Sequence, residues 1–325
     1  MVGKYDIEIY NNRVHYFLTL KRNITILQGN SATGKTELIR LVEELEENGA
    51  SSGITIVCNV KCTVLTPVDW ELRLGSLKNH IIFIDETAGF LKSKRFAEMV
   101  KGCDNYFVIV TREDLSQLPY SVDEIYGLKN DASKYKQFKK VYNEMYSLYN
   151  LLPVENVKPG VVITEDTNSG FDCLDHIYSG KCISAGGKSK VYALIRANRD
   201  KDILAIVDGA AFGSEIGKII RYLQVSGIRC TLYAPESFEY LILKSGLVDV
   251  PSEITGETFR YADSVEYMSW EEFYTAYLVK AAKDTIYRYS KSRLNDAYIT
   301  KGSLRRIIEV MPEQIRPASI RETGL

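Results

Sequence analysis

Residues 29–36 read GNSATGKT, which meets the pattern G-x-x-x-x-G-K-[ST] at every fixed position. These residue types suit one chemistry, the binding of a phosphate chain. Gly29 and Gly34 let backbone N–H groups turn inward, so that Asn30, Ser31, Ala32 and Thr33 complete a cradle between them. Lys35 would reach the β- and γ-phosphates, and Thr36 would hold a magnesium ion. A second set of candidates follows about fifty residues later in HIIFIDE (80–86), where four apolar residues deliver Asp85 and Glu86. Asp85 suits a metal contact through water, and Glu86 suits polarising an attacking water. Thr111, which closes the apolar run YFVIV, could sense a terminal phosphate or simply cap the turn after it.

The elements around these residues are the ones that such chemistry requires. NITILQ before the loop reads as a short buried strand, and TELIRLVEELEE after it spaces Leu38, Ile39, Leu41, Val42 and Leu45 as a helix does. The helix N-terminus then adds a favourable field for an anion. Upstream, residues 4–22 alternate apolar and polar on both sides of Asn11-Asn12, which predicts a hairpin with His15 as a strand-face residue. GITIVCNV is a strand candidate, VDWELRLGSL a short helix and FLKSKRFAEMVKG a further helix. In residues 132–152, Tyr135, Phe138, Tyr142, Met145, Tyr149 and Leu152 fall three and four apart. That spacing predicts a connecting helix with a lysine-rich outer face.

Past Pro153 and the KPG at 158–160, α/β alternation begins again. VVITED, CISAGG, ILAIVDGAAFG and IRCTLYA read as four parallel strands, each followed by a helical segment. Functional groups of such sheets gather at the strand C-termini. Glu165 ends the first strand and Asp208 the third, as candidate metal ligands. Residues 280–306 hold eight Lys or Arg against two Asp, interleaved with Tyr287, Tyr289 and Tyr298. Read as part of a helical C-terminal region, this stretch is either a solvated face or a contact for DNA or RNA through phosphate attraction and base stacking.

The glycine loop followed by adjacent Asp85 and Glu86 makes the first half resemble the P-loop NTPases, in the ATPase branch that uses a catalytic glutamate. The resemblance implies ATP and Mg²⁺ as ligands, with Lys35, Glu86 and Thr111 in catalytic roles. TRED (111–114) loosely matches the guanine-reading N-K-x-D, which keeps a GTPase or small-molecule kinase as the alternative, although Thr stands where Asn is required. The second half resembles a Toprim domain as fused to P-loop ATPases in the OLD nucleases. Its residues are Glu165, the turn of Gly186, Gly187 and Lys188, Asp208, and a later Glu239. The D-x-D of that family reads Asp208-Gly209-Ala210, so its second aspartate is missing; Asp166, Glu215 and Glu239 are the acids that could substitute. The resemblance therefore implies either a nuclease or a nucleotide-controlled binding module whose Toprim-like half is inactive.

The expected fold class is α/β: a P-loop sheet with an N-terminal hairpin over 1–130, a connecting helix over 131–157, a Toprim-like domain over 158–250 and a helical region over 251–325. A formal charge of −1, 45% apolar and 26% charged residues are those of a globular chain, and leave any nucleic-acid site to local clustering. Six scattered cysteines suit reduced thiols; Cys58 and Cys62 lack the further ligands of a zinc site. No leader-like segment and no membrane-length apolar run is read in the sequence, so a cytoplasmic protein, with no membrane partner and open to homo-oligomerisation, is expected.

Overall fold

A computed structural model of the chain describes residues 1–29, 33–131, 134–135, 140–151 and 155–317. These fall into two compact units, one of Met1–Tyr149 with Phe259–Met268, the other of Asn150–Thr258 with the residues from Ser269 onward. Both are α/β, and no described helix is long and apolar enough to cross a membrane.

The first unit is built on a nine-stranded mixed sheet. Strands β1 (Tyr5–Tyr10) and β2 (Val14–Leu20) form the expected hairpin, with the Asn11 side chain accepting from the backbone of Arg13 and Val14 to close it. The remaining strands are β3 (Ile24–Leu27), β4 (Thr55–Val57), β5 (Lys61–Val64), β6 (His80–Ile84), β7 (Asn105–Val110), β8 (Ile125–Asp131) and β9 (Val141–Ser147). In space they run β4-β1-β2-β9-β8-β3-β7-β6-β5. Strands β8, β3, β7, β6 and β5 are mutually parallel, and all of β3, β7 and the last four residues of β6 are buried, as their unbroken apolar runs require.

Helix α1 (Lys35–Asn48) buries Leu38, Ile39, Leu41 and Val42 in one core with Ile7, Leu18, Leu27, Val64, Phe83 and Val108. That core draws on strands from both edges of the sheet, so the sheet curls around the helix. The edge strands β4 and β5 are accordingly joined by only three residues, 58–60. Helices α2 (Trp70–Ser76) and α3 (Lys94–Val100) pack through Trp70, Phe90 and Phe96, Trp70 stacked on Phe90 at 4.7 Å. The helix expected over FLKSKRFAEMVKG is broken at Ser93, which caps α3 by accepting from the Phe96 N–H and separates it from a 3-10 turn over Gly89–Lys92.

The strand expected in GITIVCNV is present as the short edge strand β4, antiparallel to β1, and β5 is the parallel neighbour of β6. The connecting helix expected over 131–157 is corrected: Val141–Ser147 is the strand β9, which pairs parallel with β2 and antiparallel with β8. Val141, Tyr142 and Tyr146 suit a strand, and pairing on both sides, with Val14 opposite Val141, overrides the three-and-four spacing of Tyr142 and Met145. Phe138 and Leu152 lie outside the described residues.

The second unit contains a four-stranded, wholly parallel sheet of order β11-β10-β12-β13, from β10 (Val161–Thr164), β11 (Cys182–Ser184), β12 (Ile203–Ile206) and β13 (Cys230–Tyr233). These are the four strands expected. Helices α4 (Ser169–Ile177), α5 (Lys188–Ala197), α6 (Gly213–Ser226) and α7 (Phe238–Lys244) follow the successive strands. The rest adds α8 (Glu253–Gly256), α9 (Trp270–Ala281) and α10 (Lys301–Glu309). Among the described residues of 251–325 the helical reading holds for these three and for short 3-10 turns at Thr258–Arg260, Asp296–Ile299 and Glu313–Ile315. The basic stretch between α9 and α10 is mostly turns, and residues 259–268 belong to the first unit.

Candidate functional site

The C-terminal edge of the first unit's parallel strands collects the expected groups. Strand β7 lies between β3 and β6, and the register places Leu27 opposite Val110 and Ile84 opposite Ile109. The glycine loop, the Thr111 segment and the Asp85-Glu86 pair therefore leave the sheet at one level, the first and last about 10 Å apart, two strand spacings.

Gly29 and Gly34 both take positive φ, +119° and +86°, and α1 starts directly after Gly34, which has no side chain to cap it. Lys35 is buried, and its ammonium donates to the Gly29 carbonyl at 3.2 Å and to Thr33 Oγ1 at 2.7 Å, across the mouth of the loop. Burial lowers its pKa; the Arg112 charge adds to that and the Glu86 charge opposes it. Thr36 is exposed in the first turn of α1. Asn30, Ser31 and Ala32 lie outside the described residues.

Asp85 ends β6 and accepts from the Thr87 N–H at 3.0 Å, a turn that fixes the carboxylate just past the strand. Glu86 pairs with Arg112 at 3.2 Å. Thr111 is buried and its hydroxyl accepts from the Glu113 N–H at 3.0 Å, the turn-capping alternative of the two read from sequence. A cleft of about 430 Å³ opens beside these groups, lined by Glu86, Gly89, Lys92, Thr111, Arg112 and Glu113 among others. Two participants had no signal in the sequence. Arg112 reads as one charge of TRED, and Tyr16, whose hydroxyl donates to the Gly34 carbonyl at 2.9 Å, reads only as a hairpin residue. His15, on the same strand, bonds to Tyr135 and Glu8 on the face of the hairpin.

The second unit brings Glu165 and Asp208 together at the ends of β10 and β12, with the Asp208 N–H donating to Glu165 Oε2 at 3.2 Å. Behind them is a water-sized cavity of about 20 Å³, lined also by Asp166, Phe238 and Leu241. Burial raises the Glu165 pKa to about 7, with the Asp208 N–H and Lys188 opposing and Glu271 and Asp166 adding to it. Asp208 is raised by burial and then by Glu271, Glu165 and Glu239, against Lys291. Buried Glu239 accepts from the Tyr289 hydroxyl at 2.8 Å, and Lys291 pairs with Glu271 at 2.5 Å. Burial would lower the Lys291 pKa, but Glu271, Glu239 and Asp208 together push it up.

The basic stretch thus turns part of its length inward. Tyr289 and Tyr298 are buried, Arg305 pairs with Glu309 and Arg306 donates to the Gly246 carbonyl, so two of the three rings read at 280–306 belong to the fold while Tyr287 stays half-buried. Asp166 is also committed, accepting from the N–H groups of Thr167, Asn168 and Gly170 at the start of α4. Glu215 sits 3.8 Å from Lys218. Ala210 is buried and donates its N–H to the Glu236 carbonyl. Among the described residues no three His, Cys, Asp or Glu side chains are arranged to hold a metal ion. Glu271 and Lys291 went unread because they lie over sixty residues past Asp208, outside the α/β alternation. Compared with known family models, characterised proteins and solved structures, the chain matches none.

Proposed function

We propose that the first unit is a P-loop ATPase and that the second, Toprim-like unit is a binding or regulatory partner to it, not a metal-dependent nuclease. The observation that carries the first part is the alignment of loop, Asp85-Glu86 pair and Arg112 on one edge of the sheet, beside an open cleft. Lys35 is held over the loop by a carbonyl and a hydroxyl, acceptors that a phosphate oxygen outcompetes for an ammonium. The donors fit ATP with Mg²⁺: loop N–H groups and Lys35 for the phosphates, Thr36 and, through water, Asp85 for the cation. Bound magnesium would neutralise charge on the phosphates. Glu86 then acts as the base that orients the attacking water, once released from Arg112; Arg112 is placed to turn from Glu86 to the phosphates.

The second part is favoured by Ala210 and Lys291. Glu165 and Asp208 do not fit a divalent ion as arranged, because among the described residues neither Glu239 nor Glu271 completes a metal-binding group with them and the Lys291 ammonium already stands among the acids. Lys35→Ala tests the loop: ATP affinity should fall at least about a hundredfold, and unchanged affinity would overturn the assignment. Plasmid incubated with Mg²⁺ or Mn²⁺ should stay intact. Nicking that disappears in Glu165→Ala would restore the nuclease reading, and GTP preferred over ATP would favour the GTPase one.

A further inference from the structure

Residues 208–214 read DGAAFGS and carry the chain from β12 into α6, a helix of 14 residues. The loop is fixed from behind. The N–H groups of Gly209 and Ala210 donate to the Pro235 and Glu236 carbonyls, and a Cβ on Gly209 would stand 2.6 Å from the Ala234 carbonyl. The Ala211 N–H turns back to the Asp208 carbonyl, whereas those of Phe212, Gly213 and Ser214 have no backbone acceptor among the described residues, and no side chain caps the helix. Ser214 is 3% exposed, and its hydroxyl has no hydrogen-bond partner among the described residues. Side chains on a helix tilt toward its N-terminus, which aims this hydroxyl at the loop. The Lys188 ammonium comes to the same place and donates to the Ala211 carbonyl at 3.1 Å. Polar groups left unpaired under cover at a helix start cost stability until something binds them.

The first unit holds a parallel arrangement. There Lys35 rests on the Gly29 carbonyl, Thr36 is the second residue of α1, and that helix too lacks a side-chain cap. Ser214 is likewise the second residue of α6, and Lys188 brings from α5 the ammonium that Lys35 brings from its own helix.

We propose that the start of α6 is a phosphate site, which takes free phosphate or the terminal group of a phosphate monoester on the Phe212, Gly213 and Ser214 N–H groups, the Ser214 hydroxyl and the Lys188 ammonium. The site rests on the reading of the second unit as a binding module and gives that module its ligand class. Three N–H groups, a hydroxyl and an ammonium suit a tetrahedral anion with several oxygens. Phe212, Gly213 and Ser214 are buried while Ala211 and Lys188 are half-buried, so the group enters end-on from the loop side, and a diester, substituted on two oxygens, is excluded. Glu215, the acid of the first turn, sits 3.8 Å from Lys218. Burial and then Glu271, Glu165 and Glu239 raise the pKa of Asp208, which lessens the negative charge that an anion meets there.

The test uses the full chain carrying Lys35→Ala, so that the glycine loop of the first unit does not contribute, and equilibrium dialysis with labelled inorganic phosphate. Phosphate should bind, and Ser214→Ala or Lys188→Gln added to that chain should each weaken binding about tenfold, as loss of a hydrogen bond to a charged group does. Phosphate should also raise the urea midpoint of the Lys35→Ala chain, but not once both further substitutions are present. Without phosphate, Ser214→Ala should unfold at no lower urea than its parent, because its hydroxyl has no partner to lose. Adenosine 5′-monophosphate should compete: at lower concentration than phosphate it makes a nucleotide the source, at equal concentration free phosphate. No phosphate binding, binding unchanged by both substitutions, or dimethyl phosphate competing as well as phosphate would overturn the site. Plasmid nicking lost in Glu165→Ala would sink the binding-module reading while phosphate affinity stayed in place, so the two fail separately.

Discussion

Adding one methyl group at Gly34 tests the loop geometry most directly. Gly34 has φ +86°, and a Cβ there would lie 2.7 Å from the Tyr16 hydroxyl, which itself bonds to the Gly34 carbonyl at 2.9 Å. Gly34→Ala therefore carries two costs. The left-handed backbone costs about 1–2 kcal/mol with a side chain present, and displacing a hydroxyl from a ring that is 1% exposed forfeits a hydrogen bond of about 1 kcal/mol. The expected loss is about 2–3 kcal/mol in urea denaturation of the first unit. Tyr16→Phe alone should cost about 1 kcal/mol. Once Phe replaces Tyr16 the clash is gone, since the remaining ring atoms are 3.5 Å and 3.6 Å from the Cβ. The double variant should then cost no more than Gly34→Ala alone, a coupling of about 1 kcal/mol. Strictly additive losses, or a Gly34→Ala chain as stable as wild type, would refute the contact and with it this picture of the loop.

In Glu86→Gln, ATP binding should persist while single-turnover hydrolysis falls on the order of 10²- to 10⁴-fold, the usual worth of a positioned base. Arg112→Ala frees Glu86 from its ion pair but, on the proposed ATPase reading, would remove a phosphate contact, so hydrolysis should fall while the Mg²⁺ requirement stays the same. In the second unit, a carboxyl raised from 4.5 to about 7 is protonated in the folded chain where the unfolded chain has lost its proton. Stability from Glu165 is thus fully present below pH 4.5 and is lost as pH rises from there through about 7, with a slope of at most about one proton that Glu165→Gln should flatten in a pH series of urea melts. Lys291→Met leaves Glu271 without its cation and should lower the melting temperature of that unit; adding Glu271→Gln should recover part of the loss.

Local rules carried the strands and turns a long way. Asn11-Asn12 marks its hairpin because polar residues separate two alternating runs, though the turn is closed by the Asn11 side chain and not by positive φ; in the second unit β10 and β12 stand out as fully buried apolar runs that follow Gly160 and Asp202. What failed was non-local. Tyr142 and Met145 fit a helical seam by spacing, but β2 and β8 offered β9 backbone partners on both sides, and no sequence window contains all three strands. The tyrosines at 289 and 298 look like a stacking surface until Glu239 and the Tyr287 carbonyl supply their hydroxyls with buried acceptors. The two candidate sites divide in the same way. In the first unit Lys35 and the Asp85-Glu86 pair are singled out by fixed spacing, whereas Tyr16 and Arg112 join them only through the fold; in the second unit Glu271 and Lys291 come near Asp208 only through the fold.

Lys291 also changes what Ala210 means. Carboxylates crowded at the end of a parallel sheet need a cation, because burial and mutual repulsion otherwise keep them protonated. A D-x-D answers that need with a divalent ion. Here Ala210 stands at the position of a second aspartate in that pattern, and an ammonium from the segment after α9 pairs with Glu271 within the field of Asp208 and Glu239. Glu165 and Asp208 keep raised pKa values all the same, so protonation together with Lys291 is what lowers the charge of the cluster. Any magnesium requirement of the protein should then trace to Thr36 and Asp85 in the first unit, and persist unchanged when Glu165 and Asp208 are both made neutral amides.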